Sequence, residues 1–156
     1  MTQEGNAAKV KGLVYLSELV PDDDQSVADL LQRLDAQMSG VEPDAEGMIW
    51  LDDPRRFQHI MAADIPFEDG RSLASVQQPI AAGCFTGKIQ HAAWHDKPSW
   101  YLRTTNDNAL RPAVQQAVAQ HIGATVMSIR SSHMLMRSRP DDVARLIDHA
   151  ARTASQ

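Results

Sequence analysis

The sequence has few of the features that mark several common protein classes. Among its 156 residues only Cys84 is a cysteine, which excludes an internal disulfide framework and any zinc or iron–sulfur site built from several cysteines. Lysine and arginine total 15 against 20 acidic residues, and no basic block offsets the net charge of −5. Nucleic acid and anionic membrane surfaces are therefore poor electrostatic partners, and we expect neither.

Long apolar runs are also absent. The apolar stretch at 79–85 is one of the longest, and it is far too short to span a bilayer. Residues 1–8 are polar and lack the apolar core of a signal peptide. We therefore expect a soluble, cytoplasmic chain. The apolar content of 43% is still enough to build a core, and the length suits one ordinary domain, or a small domain with a subdomain.

Three segments are predicted strands. They lie at 10–16, 99–104 and 125–129, and the first, VKGLVYL, is nearly continuous in apolar residues. Pro112 and Pro140 each open a helical pattern, the first after the second strand and the other after the third. Strands and helices that alternate through short links predict parallel pairing and right-handed crossovers. The expected fold class is α/β.

The middle of the chain has a different character. Residues 21–97 contain short helical patterns, little strand signal and many proline and glycine breakers. We expect this segment to form a small helical cap or lid. Residues 1–20 and 98–156 would then form the α/β core.

Local signals indicate where the helices of the cap begin. Ser26 and Asp29 form an approximate capping box, and Pro54 after Asp53 is typical of a helix start. Residues 64–70 break the helical pattern. We therefore expect only short helices here.

Asp107 and His133 are candidate site residues because of their positions. Each follows the carboxyl end of a predicted parallel strand, where open α/β sheets bind their ligands. A carboxylate beside an imidazole fixes the tautomer of the ring and stabilises the imidazolium when histidine acts as a general base. The alternative is that Asp107 caps a turn and His133 is a loop residue bonded to the backbone. Spacing alone leaves both interpretations open.

The sequence resembles the α/β-hydrolase-fold family, in particular its small esterase-like and haloperoxidase-like serine hydrolases. The similarity rests mainly on PSWYLRTTNDNALRP and on GATVMSIRSSHMLM. In that family the first pattern carries the acid of a catalytic triad and the second carries its histidine, and the matching residues here are Asp107 and His133. Segments VKGLVYLSELVPDDD, FQHIMAADIP and QQPIAAGCFTGK resemble the family's sixth strand and cap, so the similarity covers roughly 10–150.

One family motif is missing from these residues. The serine nucleophile of the family lies in a G-x-S-x-G turn that precedes the acid and the histidine. No G-x-S-x-G occurs here, and the only glycines spaced four apart, Gly83 and Gly87, enclose Phe85 at the central position. The resemblance therefore implies the cap and the C-terminal part of the fold, about three parallel strands, without the half that bears the nucleophile.

Other candidate residues have weaker support. Trp94 and Met134 are candidates for substrate contacts, with packing in the core or lid as the alternative. His91 and His95 have helical spacing, but the sequence fixes no clear third ligand, so we expect no metal site and no cofactor. Cys84 could be a free nucleophile, although a lone cysteine is more often a small buried residue.

The apolar first strand has a consequence for partners. If only three strands are present, strand 10–16 loses its neighbour and exposes unpaired backbone groups. We expect a homodimer, or a complementary N-terminal half, to pair with this strand. A small ester or amide would be the substrate of the completed site. The alternatives are a non-catalytic module that binds a small molecule or protein, or a truncated remnant without a function of its own.

Overall fold

The computed structural model describes residues 6–36 and 41–154. Residues 1–5, on which part of the expected absence of a signal peptide rests, lie outside the described residues. In chain order the elements are β1 (Leu13–Leu16), α1 (Val27–Arg33), β2 (Met48–Ile49), α2 (Pro54–Ile60), α3 (Phe67–Ser75), β3 (Ile80–Ala81), two 3₁₀ helices (Ala82–Phe85 and Ala93–His95), β4 (Ser99–Thr104), α4 (Pro112–His121), β5 (Thr125–Ile129), α5 (Leu135–Ser138) and α6 (Pro140–Ala154).

A three-stranded parallel sheet forms the centre of the fold. Its order is β1-β4-β5, with Leu13 opposite Ser99 and Trp100 opposite Thr125. The expected α/β class with three parallel strands is confirmed. Parallel strands place their carboxyl ends at one edge, so the loops that follow β4 and β5 lie side by side.

Helices cover both faces of the sheet. Alternate residues of β4 point to opposite sides: Tyr101 packs with apolar residues of α1 and α4, whereas Trp100 and Leu102 pack with α6. All three side chains are at most 3% exposed. A strand buried on both faces needs consecutive apolar residues, and the Trp100–Leu102 stretch of SWYLRT supplies them.

The helix starts follow the local chemistry. Ser26 caps α1 in a complete capping box with Asp29, and Asp53 accepts a 2.7 Å hydrogen bond from the Arg56 N–H ahead of Pro54. Gly123 follows α4 with a φ of 61°, the left-handed conformation that ends a helix at little cost for glycine.

Between β1 and β4, the short helices α2 and α3 pack on each other around a small core of their own. Phe57, Ala62 and Ala74 are its most buried members. The expected break at 64–70 is too long, because α3 begins at Phe67 and continues through Gly70. A Cβ at Gly70 would lie 2.0 Å from Gln58 Oε1, so a larger residue would displace the Gln58 amide, which bonds the Ala62 and Ile65 carbonyls.

The proposed division at residues 20 and 97 stays a prediction, although one contact bears on it. Leu30 and Leu31 of α1 belong to the same apolar cluster as Tyr15 and Tyr101 of the sheet. Helix α1 therefore packs on the sheet, even though it lies inside the segment expected to be the cap.

Two further observations complete the fold. β2 and β3 pair as a two-stranded antiparallel ribbon, through Met48 with Ala81 and Ile49 with Ile80. The helices within residues 6–36 and 41–154 include none that is long and apolar enough to cross a membrane.

Candidate active site

The structure brings Asp107 and His133 into direct contact. Asp107 lies in the loop after β4, and His133 lies between β5 and α5. His133 Nδ1 is 2.8 Å from Asp107 Oδ2. The Asp107 side chain is fully buried, whereas that of His133 is 27% exposed. A buried carboxylate therefore faces one side of an imidazole whose other side is accessible.

The two carboxylate oxygens of Asp107 accept different sets of hydrogen bonds. Oδ1 accepts the N–H groups of Ala109 and Leu110 at 2.8 and 2.9 Å, which fixes the turn after β4. Oδ2 accepts bonds from Thr104 Oγ1 at 2.8 Å and Gln115 Nε2 at 3.0 Å, and also faces His133. The turn-capping interpretation and the paired-histidine interpretation of Asp107 therefore hold together, because each uses a different oxygen.

These contacts keep Asp107 ionised. Burial by itself raises the pKa of a carboxyl group, but the hydrogen bond and charge of His133, together with the Leu110 N–H and the Thr104 hydroxyl, outweigh it. The net effect lowers the pKa of Asp107 below its usual value. An ionised Oδ2 accepts the proton of Nδ1, which leaves the lone pair of His133 on Nε2.

Gln115 of α4 supports Asp107 from inside the core. Its side chain is completely buried, and Nε2 donates to Asp107 Oδ2, to Thr104 Oγ1 at 2.9 Å and to the Leu110 carbonyl at 2.8 Å. Its Oε1 accepts the Thr104 N–H at 2.9 Å. Sequence reasoning missed this residue; the signal for it is a polar residue beside Val114 on the apolar face of α4.

The loop that carries His133 is attached to the α2–α3 segment. Asp64 accepts the Ser132 N–H at 3.0 Å and also the Ser132 hydroxyl. Partial burial raises the pKa of Asp64, but the Ser132 hydroxyl and N–H lower it more, and the net direction is down. The Met134 N–H donates to the Met61 carbonyl at 3.0 Å. Residues on both sides of His133 are thereby fixed by the helical segment, a role that the sequence did not indicate.

A cavity of about 720 Å³ lies next to the Asp107 loop. Its walls combine apolar residues of α1, β2, α2 and β3 with the four residues that follow Asp107. They include Leu31, Ile49, Leu51, Ile60, Met61, Ile80, Phe85, Asn108, Ala109, Leu110 and Arg111. A drug-sized apolar group fits a cavity of this size. Asp107 and His133 lie beside it and do not line it.

The structure does not bring Trp94 to the Asp107–His133 pair. Trp94 precedes the amino end of β4, donates to the Pro21 carbonyl at 3.3 Å and contacts the ring of His121 at the end of α4. Its role in substrate binding stays a prediction that this position does not favour. Met134 is next to His133 and packs against the α2–α3 core, and its substrate contact also stays a prediction.

Comparisons with known proteins bear on the family and the fold. The sequence model described as the alpha/beta hydrolase family matches residues 1–146. No curated protein sequence matches the chain. The crystal structure of polyneuridine aldehyde esterase is similar with a TM-score of 0.76 at 17% identity, over 96% of this chain and 65% of that one.

A pyrethroid hydrolase from Sphingobium faniae JZ-2 is similar to the same degree. Its TM-score is 0.76 at 21% identity, over 99% of this chain and 66% of that one. At these identities the likeness is one of fold. The chain spans 62–66% of the length of the solved structures that it matches.

Proposed function

Since the chain belongs to the alpha/beta hydrolase family, we propose that it supplies the acid and the histidine of a hydrolase site for a small ester or amide. The observation that carries the proposal is the 2.8 Å contact between His133 Nδ1 and the buried carboxylate of Asp107. An ionised acid behind an accessible imidazole is the arrangement that a general base needs.

The proposed chemistry is acyl transfer with His133 as the proton carrier. Nε2 takes the proton from a nucleophile hydroxyl as its oxygen bonds to the substrate carbonyl carbon. His133 then gives that proton to the leaving alcohol or amine as the carbonyl carbon–heteroatom bond breaks. Water repeats the sequence and releases the acid. Asp107 stays ionised throughout and stabilises the imidazolium.

The nucleophile has to come from outside these 156 residues, since they contain no G-x-S-x-G turn. The open side of β1 is the proposed place for it. Within the described residues β1 pairs only with β4, and a cavity of about 450 Å³ lies along Leu13, Val14 and Tyr15. A polypeptide strand added to β1 would continue the sheet and bring its own loops to the same edge as His133. The alternative is a homodimer in which a second copy of this chain pairs with the open side of β1.

A second candidate function is a non-catalytic binding module. The cavity of about 720 Å³ favours it, because this chain supplies both apolar lining, such as Leu31 and Ile60, and polar groups, such as Asp35 and Gln77, without a nucleophile. In this alternative the Asp107 loop and the helical segment bind a small molecule without converting it into a product. The expected cytoplasmic location belongs to either function and rests on the sequence alone.

The test compares the full chain alone with the chain plus a polypeptide bearing the G-x-S-x-G half of a related hydrolase. The readouts are p-nitrophenyl acetate turnover and labelling by a fluorophosphonate. We expect neither turnover nor labelling from the chain alone. The chain and the added half together should give turnover, which His133→Ala should abolish and His149→Ala should leave in place. His149 is an exposed histidine on α6 and serves as the matched control.

Other outcomes would change the proposal. Labelling of this chain by itself would place a nucleophile within it. Turnover by the pair that survives His133→Ala would remove His133 from the reaction. Saturable binding of the ester without turnover in any mixture would favour the binding module.

A further inference from the structure

We propose that Asp22, Asp23 and His95 form a binding site for one divalent transition-metal ion of the zinc class. The three residues come from two segments far apart in the chain. Asp22 and Asp23 lie between β1 and α1, and His95 ends the 3₁₀ helix that precedes β4. The sequence predicted no metal site here, because the spacing of His91 and His95 fixes no third ligand and does not place the two aspartates beside them.

The distances suit a single ion. One ligand atom from each residue lies within 4.8 Å of the other two. His95 Nε2 is 2.7 Å from Asp22 Oδ1 and 3.9 Å from Asp23 Oδ1. Ligand bonds of about 2.1 Å in a tetrahedral arrangement place the ligand atoms about 3.4 Å apart. To reach a coordination shell, the His95–Asp22 contact would open by about 0.7 Å and the His95–Asp23 contact would close by about 0.5 Å.

The surrounding groups position these ligands. His121 Nε2 lies 3.0 Å from Asp22 Oδ2, whereas His95 contacts the other oxygen of the same carboxylate. The Ala92 N–H donates to Asp23 Oδ1 at 2.6 Å. The ring of Trp94 lies 3.8 Å from that of His95, centroid to centroid. Such outer contacts are the kind that orient metal ligands and raise affinity.

The donor types indicate the class of metal. An imidazole nitrogen suits zinc, nickel, cobalt and copper, whereas calcium and magnesium prefer shells made of oxygen alone. Three further charged or imidazole side chains surround the cluster: His91, Asp96 and His121. His121 or water can complete a fourth position. All of these groups are partly exposed, so an ion can enter from solvent.

The site is separate from Asp107 and His133, and its role is to hold the fold together. A bound ion would link the loop after β1 to the segment that enters β4, across about 70 residues of chain. Because the ion binds only the folded chain, it would stabilise the β1–β4 pair and the open side of β1 described above.

The test is calorimetric titration of the full chain, freed of metal by chelation, with ZnCl₂. We expect saturable binding of one ion per chain with micromolar or tighter affinity. His95→Ala and Asp22→Asn should each weaken it at least 100-fold, and His149→Ala should leave it unchanged. Asp22→Asn keeps the side-chain shape and protects the test against a folding defect, which circular dichroism checks.

An optical readout gives an independent test. Co²⁺ or Ni²⁺ at His95 should quench the fluorescence of Trp94, and Trp94→Phe should remove that quenching while zinc affinity stays within a few fold. The proposal is overturned if zinc does not saturate at one ion, if His95→Ala binds as tightly as the wild type, or if only CaCl₂ and MgCl₂ bind. The first result would mean that the cluster is a network of ion pairs, the second that zinc binds elsewhere, and the third that the carboxylates hold a cation through oxygen ligands alone.

Discussion

Replacement of Gln115 by methionine tests whether the buried hydrogen-bond network behind Asp107 depends on the Gln115 amide. Methionine has nearly the same volume, so the packing against α4 is kept while the amide is removed. The change leaves the Thr104 N–H and the Leu110 carbonyl without the partners they now have at 2.9 and 2.8 Å. It also removes one of the donors to Asp107 Oδ2.

The magnitude follows from the two orphaned backbone groups. Each buried polar group without a partner costs about 1–3 kcal/mol, so we expect a loss of about 2–6 kcal/mol in the free energy of unfolding. For a urea slope of about 2 kcal/mol/M the midpoint should fall by about 2 M. Circular dichroism during urea titration measures it.

Gln116→Met is the matched control on the same helix. Gln116 accepts a 2.8 Å bond from Arg103 Nη1 in a partly buried position, so its loss should cost less than about 1 kcal/mol. The ¹⁵N resonances of His133 report in parallel on the contact between its Nδ1 and Asp107. Equal urea midpoints for the two variants would refute the assignment of Gln115 as the central donor of this network.

Three further predictions follow from the site and the sheet. Because the pKa of Asp107 is lower in the folded chain, the unfolded chain binds more protons, and the stabilisation by the Asp107 carboxylate is present above about pH 4 and lost as pH falls through the folded-state pKa. The free energy of unfolding should therefore fall less steeply with falling pH in Asp107→Asn than in the wild type. Equal slopes for the two proteins would contradict this. Asp64→Asn should cost about 1 kcal/mol and speed hydrogen exchange at the Ser132 amide, unlike the exposed control Asp69→Asn. Sedimentation at micromolar concentration should show association that Val14→Lys at β1 weakens, whereas a stable wild-type monomer would remove the homodimer as occupant of that edge.

The sheet and the main site pair were predictable because their signals are local. β4 and β5 are short stretches rich in β-branched and aromatic residues and bounded by turn residues, and their observed limits match the predicted ones. Asp107 and His133 follow those strands directly, and parallel pairing dictates that such loops meet. Spacing alone still left the alternative of a turn cap and a loop histidine open, and the resemblance to the α/β-hydrolase family favoured the pair.

The supporting residues could not be found in this way. Gln115 is a polar residue on the apolar face of α4, but the helix pattern does not name its partners, which are Thr104 at the end of β4 and Asp107 in the loop that follows. Asp64 reaches Ser132 across 68 residues. Gly70 has the sequence signature of a helix breaker, but it lies inside α3, where a Cβ would meet the Gln58 amide of α2. These roles depend on tertiary contacts that no local pattern encodes.

The insertion of the helical segment between β1 and β4 also sets an order of folding. β4 and β5 pair through a crossover of roughly 25 residues, whereas β1 must close a loop of roughly 85 to reach β4. That difference raises the entropic cost of closure by about 1 kcal/mol for β1. The unit of β4, α4, β5 and α6 should therefore form first, with β1 docking last. Asp107 and His133 both belong to the early unit, so their contact is established before the sheet acquires its third strand.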